Sequence, residues 1–207
     1  LDVIHGTQKF VTSSFTTAGS ACANLGVGPV MVDNAVGVIK AYITRVGEGP
    51  MPTELKDDLG VRMREKGGEY GTTTGRARRC GWFDAVLGLK SVYLNGYTEL
   101  ALTKLDVLTG IDPIKICIGY DLDGEKLGYP PEATEDLARC QPIYEEMPGW
   151  TEDITEIKEY DDLPANARAY VERLDDLLYV EPLDNCIAAV SVGPGREQTI
   201  YLDEPED

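Results

Sequence analysis

The sequence has little of what disulfide and metal chemistry require. Its five cysteines are an odd number and contain no Cys-x-x-Cys pair, which argues against a disulfide framework and against a cysteine zinc site. His5 is the only histidine, so this chain cannot by itself form a histidine-based metal site. We therefore predict reduced, structural thiols and no metal site in this chain.

Long apolar runs and positive charge are also scarce. No window offers the roughly 20 apolar residues of a membrane helix, and the first residues lack the charged and apolar regions of a secretory signal. The chain has 19 Lys and Arg against 36 Asp and Glu, a formal net charge of −17. Such a charge repels nucleic acid and anionic lipid, so we expect neither as a partner. These absences predict a cytoplasmic protein.

The 207 residues are 43% hydrophobic, enough for the core of one large domain or one and a fraction. The hydrophobic pattern predicts alternating strands and helices. We expect a buried strand running out of a short helix within 35–46, a helix over 83–94 ended by Asn95-Gly96, strands over 99–102, 114–120 and 186–192, and an amphipathic helix over 164–178. Residues 121–163 look like an excursion with short strands, and Trp82 and Phe83 like core. This order predicts an α/β sheet with ligands at its strand ends.

The scarce positive charge is concentrated in one span. It comprises Arg62, Arg64, Lys66, Arg76, Arg78 and Arg79. The run Thr72-Thr73-Thr74-Gly75-Arg76 combines hydroxyls, backbone N–H groups and a guanidinium, a set suited to binding a carboxylate. Arg78 and Arg79 leave positive charge in reserve for phosphate. The alternative is a solvated basic turn that pairs with the acidic surface.

Two more motifs follow apolar strands. In Thr103-Lys104-Leu105-Asp106, the Asp106 carboxylate can accept hydrogen bonds from N1–H and the 2-amino group of guanine, a donor pair that adenine lacks on that edge. The stem of Lys104 can lie along one face of the base. In Ser191-Val192-Gly193, the glycine lets backbone N–H groups approach a planar ligand. The alternatives are ordinary surface residues in the first case and a simple turn in the second.

Together these motifs resemble the C-terminal half of the adenylosuccinate synthetases, and the match runs through nearly the whole chain. Further stretches carry it: His5-Gly6-Thr7, Val11-Thr12-Ser13-Ser14, Lys40-Ala41-Tyr42, Thr44-Arg45-Val46-Gly47, Pro52-Thr53-Glu54-Leu55 and Pro148-Gly149-Trp150. The resemblance implies the C-terminal part of a P-loop-NTPase-like central sheet plus an α/β C-terminal domain. Residues 1–40 would be the tail end of the central nucleotide-binding domain. Residues 41–207 would be the C-terminal domain with the guanine-recognition and aspartate-binding loops.

The resemblance also implies a function. Members of the family join L-aspartate to IMP at the expense of GTP and with Mg²⁺, giving adenylosuccinate, GDP and phosphate in the AMP branch of purine biosynthesis, as homodimers. By resemblance, Thr12 and Arg76 would contact IMP, with Val46 near its ribose. The residues implied for the aspartate loop are Thr72, Thr73, Thr74, Gly75 and Arg76, and those implied for GTP are Arg78, Lys104, Leu105, Asp106, Ser191, Val192 and Gly193.

The family's phosphate loop, Gly-Asp-Glu-Gly-Lys-Gly, does not occur in this sequence. The family carries that loop, its catalytic Asp and His and its Mg²⁺ ligands in the N-terminal half. We therefore expect no catalytic residue here and no activity of this chain alone. Three rival hypotheses stay open: a stand-alone guanine-nucleotide-binding module without catalysis, a core with no independent role, and a related ligase acting on another 6-oxopurine nucleotide, such as a 2-amino analogue.

Overall fold

The structure is a computed structural model that describes residues 16–181, 183 and 186–202. Along the chain its helices and strands are α1 (Gly19–Leu25), β1 (Val36–Lys40), β2 (Ile43–Arg45), α2 (Asp58–Gly67), β3 (Arg79–Gly81), β4 (Phe83–Asp84), α3 (Ala85–Asn95), β5 (Glu99–Thr103), β6 (Ile114–Leu122), β7 (Glu125–Leu127), α4 (Thr134–Arg139), β8 (Gln141–Met147), α5 (Ala165–Leu178), β9 (Cys186–Ser191) and β10 (Thr199–Tyr201). Short 3₁₀ turns cover Pro29–Met31, Leu105–Leu108, Tyr160–Asp162 and Arg196–Gln198. The predicted α/β class is confirmed.

One sheet has the strand order β1-β5-β9-β10. β5 runs parallel to both β1 and β9, and β10 is antiparallel to β9. Leu100 and Leu102 of β5 are fully buried, as the apolar run predicts for a strand with neighbours on both sides. Because β1, β5 and β9 are parallel, their carboxyl ends meet at one edge of this sheet.

A second sheet is built around β6. Its first strand, β4, is parallel to β6, whereas β7 and β8 are antiparallel to it. Asp123 (φ 55°) and Gly124 (φ 92°) make the tight turn from β6 to β7 with positive φ. Strands β2 and β3 form a separate two-stranded ribbon; β2 precedes the basic span in the sequence, and β3 begins at its last residue, Arg79.

The helices begin and end where local chemistry favours it. Asp84 caps α3 by accepting a hydrogen bond from Leu87 N (3.1 Å), and Gly96 ends the helix in the left-handed conformation (φ 62°). This confirms the helix predicted to stop at Asn95-Gly96. Helix α5 buries Ala167, Tyr170, Val171 and Leu174, the face predicted from spacing. No helix among the described residues is long and apolar enough to cross a membrane.

One core cluster contains residues of both sheets and of α5, and Trp82 and Phe83 lie within it, at 4% and 3% exposure. The structure pairs none of the described cysteines in a disulfide. The prediction of one buried strand within 35–46 is wrong. The chain breaks at Ala41-Tyr42 into β1 and β2, and Val36 and Val38, which share one face of β1, are 52% and 74% exposed.

Three helices, α1, α2 and α4, are absent from the sequence-based expectation. α4 lies inside the region read as an excursion with short strands, where β7 and β8 also occur. α2 carries the first half of the basic span and buries only Gly60, Met63 and Gly67, so its apolar stripe is too thin to stand out. The division at residue 40 stays a prediction.

Candidate functional site

The two predicted guanine motifs lie at one edge of the β1-β5-β9-β10 sheet. In the pairing of β5 with β9, Leu102 is opposite Val190, so the segments that follow, 104–106 and 191–193, leave the sheet side by side. In the pairing of β1 with β5, Lys40 is opposite Thr103, and Ala41 N donates to Thr103 O (2.8 Å). The end of β1 therefore lies beside the same segments.

The 104–106 segment begins with a residue in an unusual conformation. Lys104 has φ 62°, and its Nζ donates to Gly67 O at the end of α2 (2.5 Å). Leu105 is fully buried, so only its backbone can face a ligand. Asp106 is half-buried, and its carboxylate makes no hydrogen bond or ion pair with another side chain of the described residues. Burial raises the pKa of Asp106, and the positive charge of Lys66 opposes that rise.

The 191–193 segment packs against Gln198 and contacts both its backbone and its side chain. Val192 is fully buried, and its N–H donates to Gln198 O (2.8 Å). Gln198 Oε1 accepts from Gly195 N (2.7 Å), and a Cβ on Gly193 would lie 2.5 Å from the Gln198 amide. Ser191 Oγ donates to Gly193 O (2.8 Å), whereas the Gly193 N–H makes no hydrogen bond within the described residues. Gly193 thus offers a backbone donor where Val192 cannot.

The 72–76 loop is the exposed tip of a short hairpin whose stem is the Tyr70–Ala77 bridge. Its backbone closes through Gly71 N to Arg76 O (2.8 Å) and Gly75 N to Gly71 O (2.7 Å). Gly75 has φ 63°, which a residue with a side chain rarely adopts. The other four loop residues, Thr72, Thr73, Thr74 and Arg76, are all exposed. The Arg76 guanidinium forms no ion pair with a described residue, so the loop is open to a ligand.

Glu69 lies between the loop and the strand-end segments, and sequence reasoning missed it. Its carboxylate is fully buried and is surrounded by four donors: Lys40 Nζ (2.9 Å), Tyr42 OH (2.6 Å), Arg78 Nη1 (2.8 Å) and, more distantly, Lys104 Nζ (3.7 Å). We call these five residues the Glu69 cluster. The available signal was a single carboxylate among glycines, Gly67-Gly68-Glu69-Tyr70-Gly71, inside the basic span.

The electrostatics of the Glu69 cluster keep its carboxylate ionised. Burial alone raises the pKa of Glu69, but hydrogen bonds from Tyr42, Lys40 and Arg78 outweigh it and bring the pKa to about 2. In the same cluster, burial lowers the pKa of Lys40 despite its contact with Glu69. The ion pair therefore gains from its geometry and loses part of that gain to desolvation of the ammonium group.

Four further residues of the sequence-based prediction are Arg79, Val46, Thr12 and Arg78. Arg79 makes a bidentate pair with Glu54 (2.7 and 2.6 Å) and donates to Gly47 O and Gly49 O, so its charge is not held in reserve for phosphate. Val46 is exposed just after β2 and precedes Gly47, whose carbonyl accepts from Arg79. Thr12 lies outside the described residues. Arg78 belongs to the Glu69 cluster, and 29% of its side chain is exposed.

The described residues contain no group of three or more His, Cys, Asp or Glu side chains that could hold a metal ion. An apolar groove of about 760 Å³ lies elsewhere, between α3 and the chain after α5, and its lining includes Tyr93, Tyr129 and Tyr179 but none of the predicted site residues.

Comparisons with known proteins identify relatives of this chain. The family model described as adenylosuccinate synthetase matches residues 1–200. An adenylosuccinate synthetase of Methanothrix thermoacetophila is 76% identical over 203 residues, covering 98% of this chain and 47% of that protein. The enzyme of the same name from Methanosarcina barkeri is 64% identical, covering 96% of this chain and 46% of that protein. The chain thus spans about half the length of these relatives.

Solved structures agree with the sequence matches. A fully ligated adenylosuccinate synthetase from Plasmodium falciparum superposes with a TM-score of 0.92 at 42% identity, covering 98% of this chain and 48% of that one. A cyanophage S-2L succinoaminodeoxyadenylate synthetase bound to dGMP and dATP reaches a TM-score of 0.53 at 16% identity, over 97% of this chain and 43% of that one, a likeness of fold alone. By sequence and by structure, the chain belongs to the adenylosuccinate synthetase family.

Proposed function

We propose that this chain supplies the guanine-recognition and aspartate-binding parts of an enzyme that ligates L-aspartate to IMP. GTP is the co-substrate, and adenylosuccinate, GDP and phosphate are the products. The observation that carries the proposal is the strand register, which brings the 104–106 and 191–193 segments to one sheet edge. Family membership supports it, because motifs expected to act together on one ligand are adjacent in space.

In this proposal the guanine base lies across the edge formed by those two segments. The Asp106 carboxylate, which has no side-chain partner within residues 16–181, 183 and 186–202, accepts from N1–H and the 2-amino group. The Gly193 N–H donates to O6. Leu105 and Val192 hold the two segments in the core, so that they contribute position and backbone rather than side-chain contacts.

The 72–76 loop binds the carboxylates of L-aspartate in this proposal. The hydroxyls of Thr72, Thr73 and Thr74 and the N–H groups of the loop are the donors, and the exposed Arg76 guanidinium pairs with a carboxylate in bidentate fashion. Arg76 also reaches IMP, together with Thr12, and Val46 lies near the IMP ribose.

The chemistry proceeds in two steps. The γ-phosphoryl group of GTP is transferred to O6 of IMP, and the aspartate amine then displaces that phosphate at C6. Residues of this chain hold and orient the substrates in both steps, and none of them transfers a proton. Mg²⁺, homodimer formation and a cytoplasmic location belong to the proposal for the whole enzyme, and we propose that this chain alone is inactive.

The first test is calorimetric titration of the chain with GTP, GDP and ATP. We expect binding of the guanine nucleotides only, abolished by Asp106→Asn and unchanged by Asp161→Asn, whose carboxylate is 99% exposed and lies 3.9 Å from Arg168, a residue outside the proposed site. Equal binding of ATP would contradict the assignment of Asp106. Tight GTP binding by this chain alone would favour the hypothesis of a stand-alone nucleotide-binding module.

A second test asks for catalysis. The chain can replace its matched part in the Methanothrix thermoacetophila relative, with which it shares 76% identity. We expect this chimera to form adenylosuccinate from IMP, L-aspartate and GTP, and Arg76→Ala to raise the KM for aspartate. A folded chimera that forms no adenylosuccinate would refute the proposed function.

A further inference from the structure

The Glu69 cluster joins three separate parts of the site through one carboxylate. Lys40 is the last residue of β1, Lys104 follows β5, and Arg78 lies two residues beyond the 72–76 loop. The three cationic side chains are 26%, 36% and 29% exposed, whereas the Glu69 side chain is fully buried. The carboxylate is thus out of reach of solvent, while the cations that it holds each keep an accessible side.

Backbone hydrogen bonds also hold Glu69 in place. Glu69 N donates to Arg64 O at the end of α2 (2.9 Å), and Arg78 N donates to Glu69 O (2.9 Å). Gly67, two residues earlier, accepts from Lys104 Nζ and touches the Tyr42 hydroxyl so closely that a Cβ there would lie 2.2 Å from it. No side chain in this set can shift without disturbing another.

The charge of the cluster also matters. Three cations and one carboxylate leave a net charge of +2 (3 − 1) in a chain whose formal net charge is −17. Without the carboxylate, three like charges would repel one another at close range and turn toward solvent. With it, they are held together and still attract an anion.

We propose that Glu69 is a positioning residue that locks Arg78 to Lys104, so that binding of an anionic substrate on the 72–76 loop is coupled to binding of guanine nucleotide on the 104–106 segment. The inference rests on the proposed function for the identity of the two ligands. Glu69 itself touches neither ligand. Coupling of this kind is reciprocal, so each ligand tightens the binding of the other by the same factor.

The structural half of the inference can be tested on the 207-residue chain by hydrogen–deuterium exchange. Glu69→Gln keeps the shape of the side chain but removes its charge. We expect amides in both 70–77 and 104–108 to exchange roughly tenfold faster or more. The matched control is Glu145→Gln, which breaks the bidentate Glu145–Arg173 pair between β8 and α5 and should change exchange only there. Faster exchange confined to 70–77 would overturn the inference.

If Glu69→Gln does not fold, as judged by circular dichroism, Tyr42→Phe serves instead. It removes one donor to Glu69 and leaves the carboxylate in place. We then expect a smaller acceleration in the same two segments. An unchanged rate in 104–108 would overturn the inference here as well.

The functional half uses the chimera with the Methanothrix thermoacetophila relative. In the unsubstituted protein, saturating aspartate should lower the apparent dissociation constant for GTP, and GTP should do the same for aspartate. We expect Glu69→Gln to abolish this mutual effect and to raise both KM values roughly tenfold, with a smaller change in kcat. Glu145→Gln should leave the coupling intact.

The two proposals fail in different ways. If the unsubstituted chimera ligates no aspartate, the proposed function fails and the exchange experiment still decides the structural coupling. If the chimera is active and Glu69→Gln behaves like Glu145→Gln, the positioning role of Glu69 is refuted and the proposed function stands.

Discussion

Removing one oxygen atom tests the energetics of the Glu69 cluster most directly. Tyr42 is 1% exposed, and its hydroxyl donates to Glu69 Oε1 at 2.6 Å. Tyr42→Phe deletes that donor and keeps the ring, so the core around it does not need to repack. Lys40 Nζ still donates to both carboxylate oxygens, at 2.9 Å each, and therefore Glu69 is not left without a partner.

The expected cost follows from the kind of bond that is lost. A hydrogen bond to a charged acceptor contributes about 1.5–3 kcal/mol to stability. Because Lys40 and Arg78 remain bound to the carboxylate, we expect a loss of about 2 kcal/mol rather than the upper value. With a urea m-value of about 2.5 kcal/mol/M for a chain of this size, the midpoint should fall by about 0.8 M.

The effect should depend on pH in a definite direction. The folded-state pKa of Glu69 is about 2, below the usual 4.5, so the ionised carboxylate stabilises the fold above about pH 4.5 and loses that effect as the pH falls toward 2. The shift corresponds to at most about 3 kcal/mol, reduced by the cost of burying Lys40. Tyr42→Phe raises the folded-state pKa toward 4.5. The difference between parent and variant should therefore be largest near neutral pH and shrink between about pH 4.5 and 2.

The assay is equilibrium unfolding in urea, followed by tryptophan fluorescence at several pH values. Tyr93→Phe is the matched control, because Tyr93 is 72% exposed and the same atom is removed. Its midpoint should move by no more than about 0.2 M. A loss for Tyr42→Phe as small as that of the control, or one independent of pH, would refute the account of the cluster.

Three further predictions follow from the same geometry. Gly67→Ala places a Cβ 2.2 Å from the Tyr42 hydroxyl and should lower the unfolding free energy by about 1–3 kcal/mol, measured in urea; an unchanged midpoint would contradict the packing. Burial raises the pKa of Asp106 above 3.8, so guanine-nucleotide affinity in calorimetry should begin to fall at a higher pH than for an ordinary aspartate, and constant affinity down to about pH 4 would argue against it. Gly193→Ala forces the Gln198 amide to move and should weaken GTP binding roughly tenfold without loss of the fold, whereas unaltered affinity would exclude Gly193 from the site.

Elements with local signals could be predicted from the sequence. Helix α3 combines apolar residues at helical spacing with a capping Asp84 and the left-handed Gly96, and all of these act within one element. β5 and β9 are short apolar runs whose buried positions match the prediction. Their order and the polar residues just beyond them sufficed to place the 104–106 and 191–193 segments at strand ends.

The basic span shows why other features could not be predicted. Three of its cations are used for tertiary contacts rather than for anions: Arg62 donates to Thr109 O and Gly110 O, Lys66 to Thr109 O, and Arg64 to Arg78 O. Their acceptors are backbone carbonyls 14 to 48 residues away. A carbonyl has no sequence signature, so a cation bound to one looks the same in the sequence as a cation awaiting a ligand.

Glu69 was missed for the opposite reason. Residues that contact a ligand stand in recognisable motifs, because the ligand dictates their types and spacing. The type of a residue that positions the ligand-binding residues is instead determined by its contacts with other parts of the chain. For Glu69 these are Lys40, Tyr42 and Lys104, which lie 27 to 35 positions away and belong to different elements. In the sequence, Glu69 is one acidic residue among 36. Only the fold distinguishes it, because the fold brings three cationic side chains and the Tyr42 hydroxyl to one buried carboxylate.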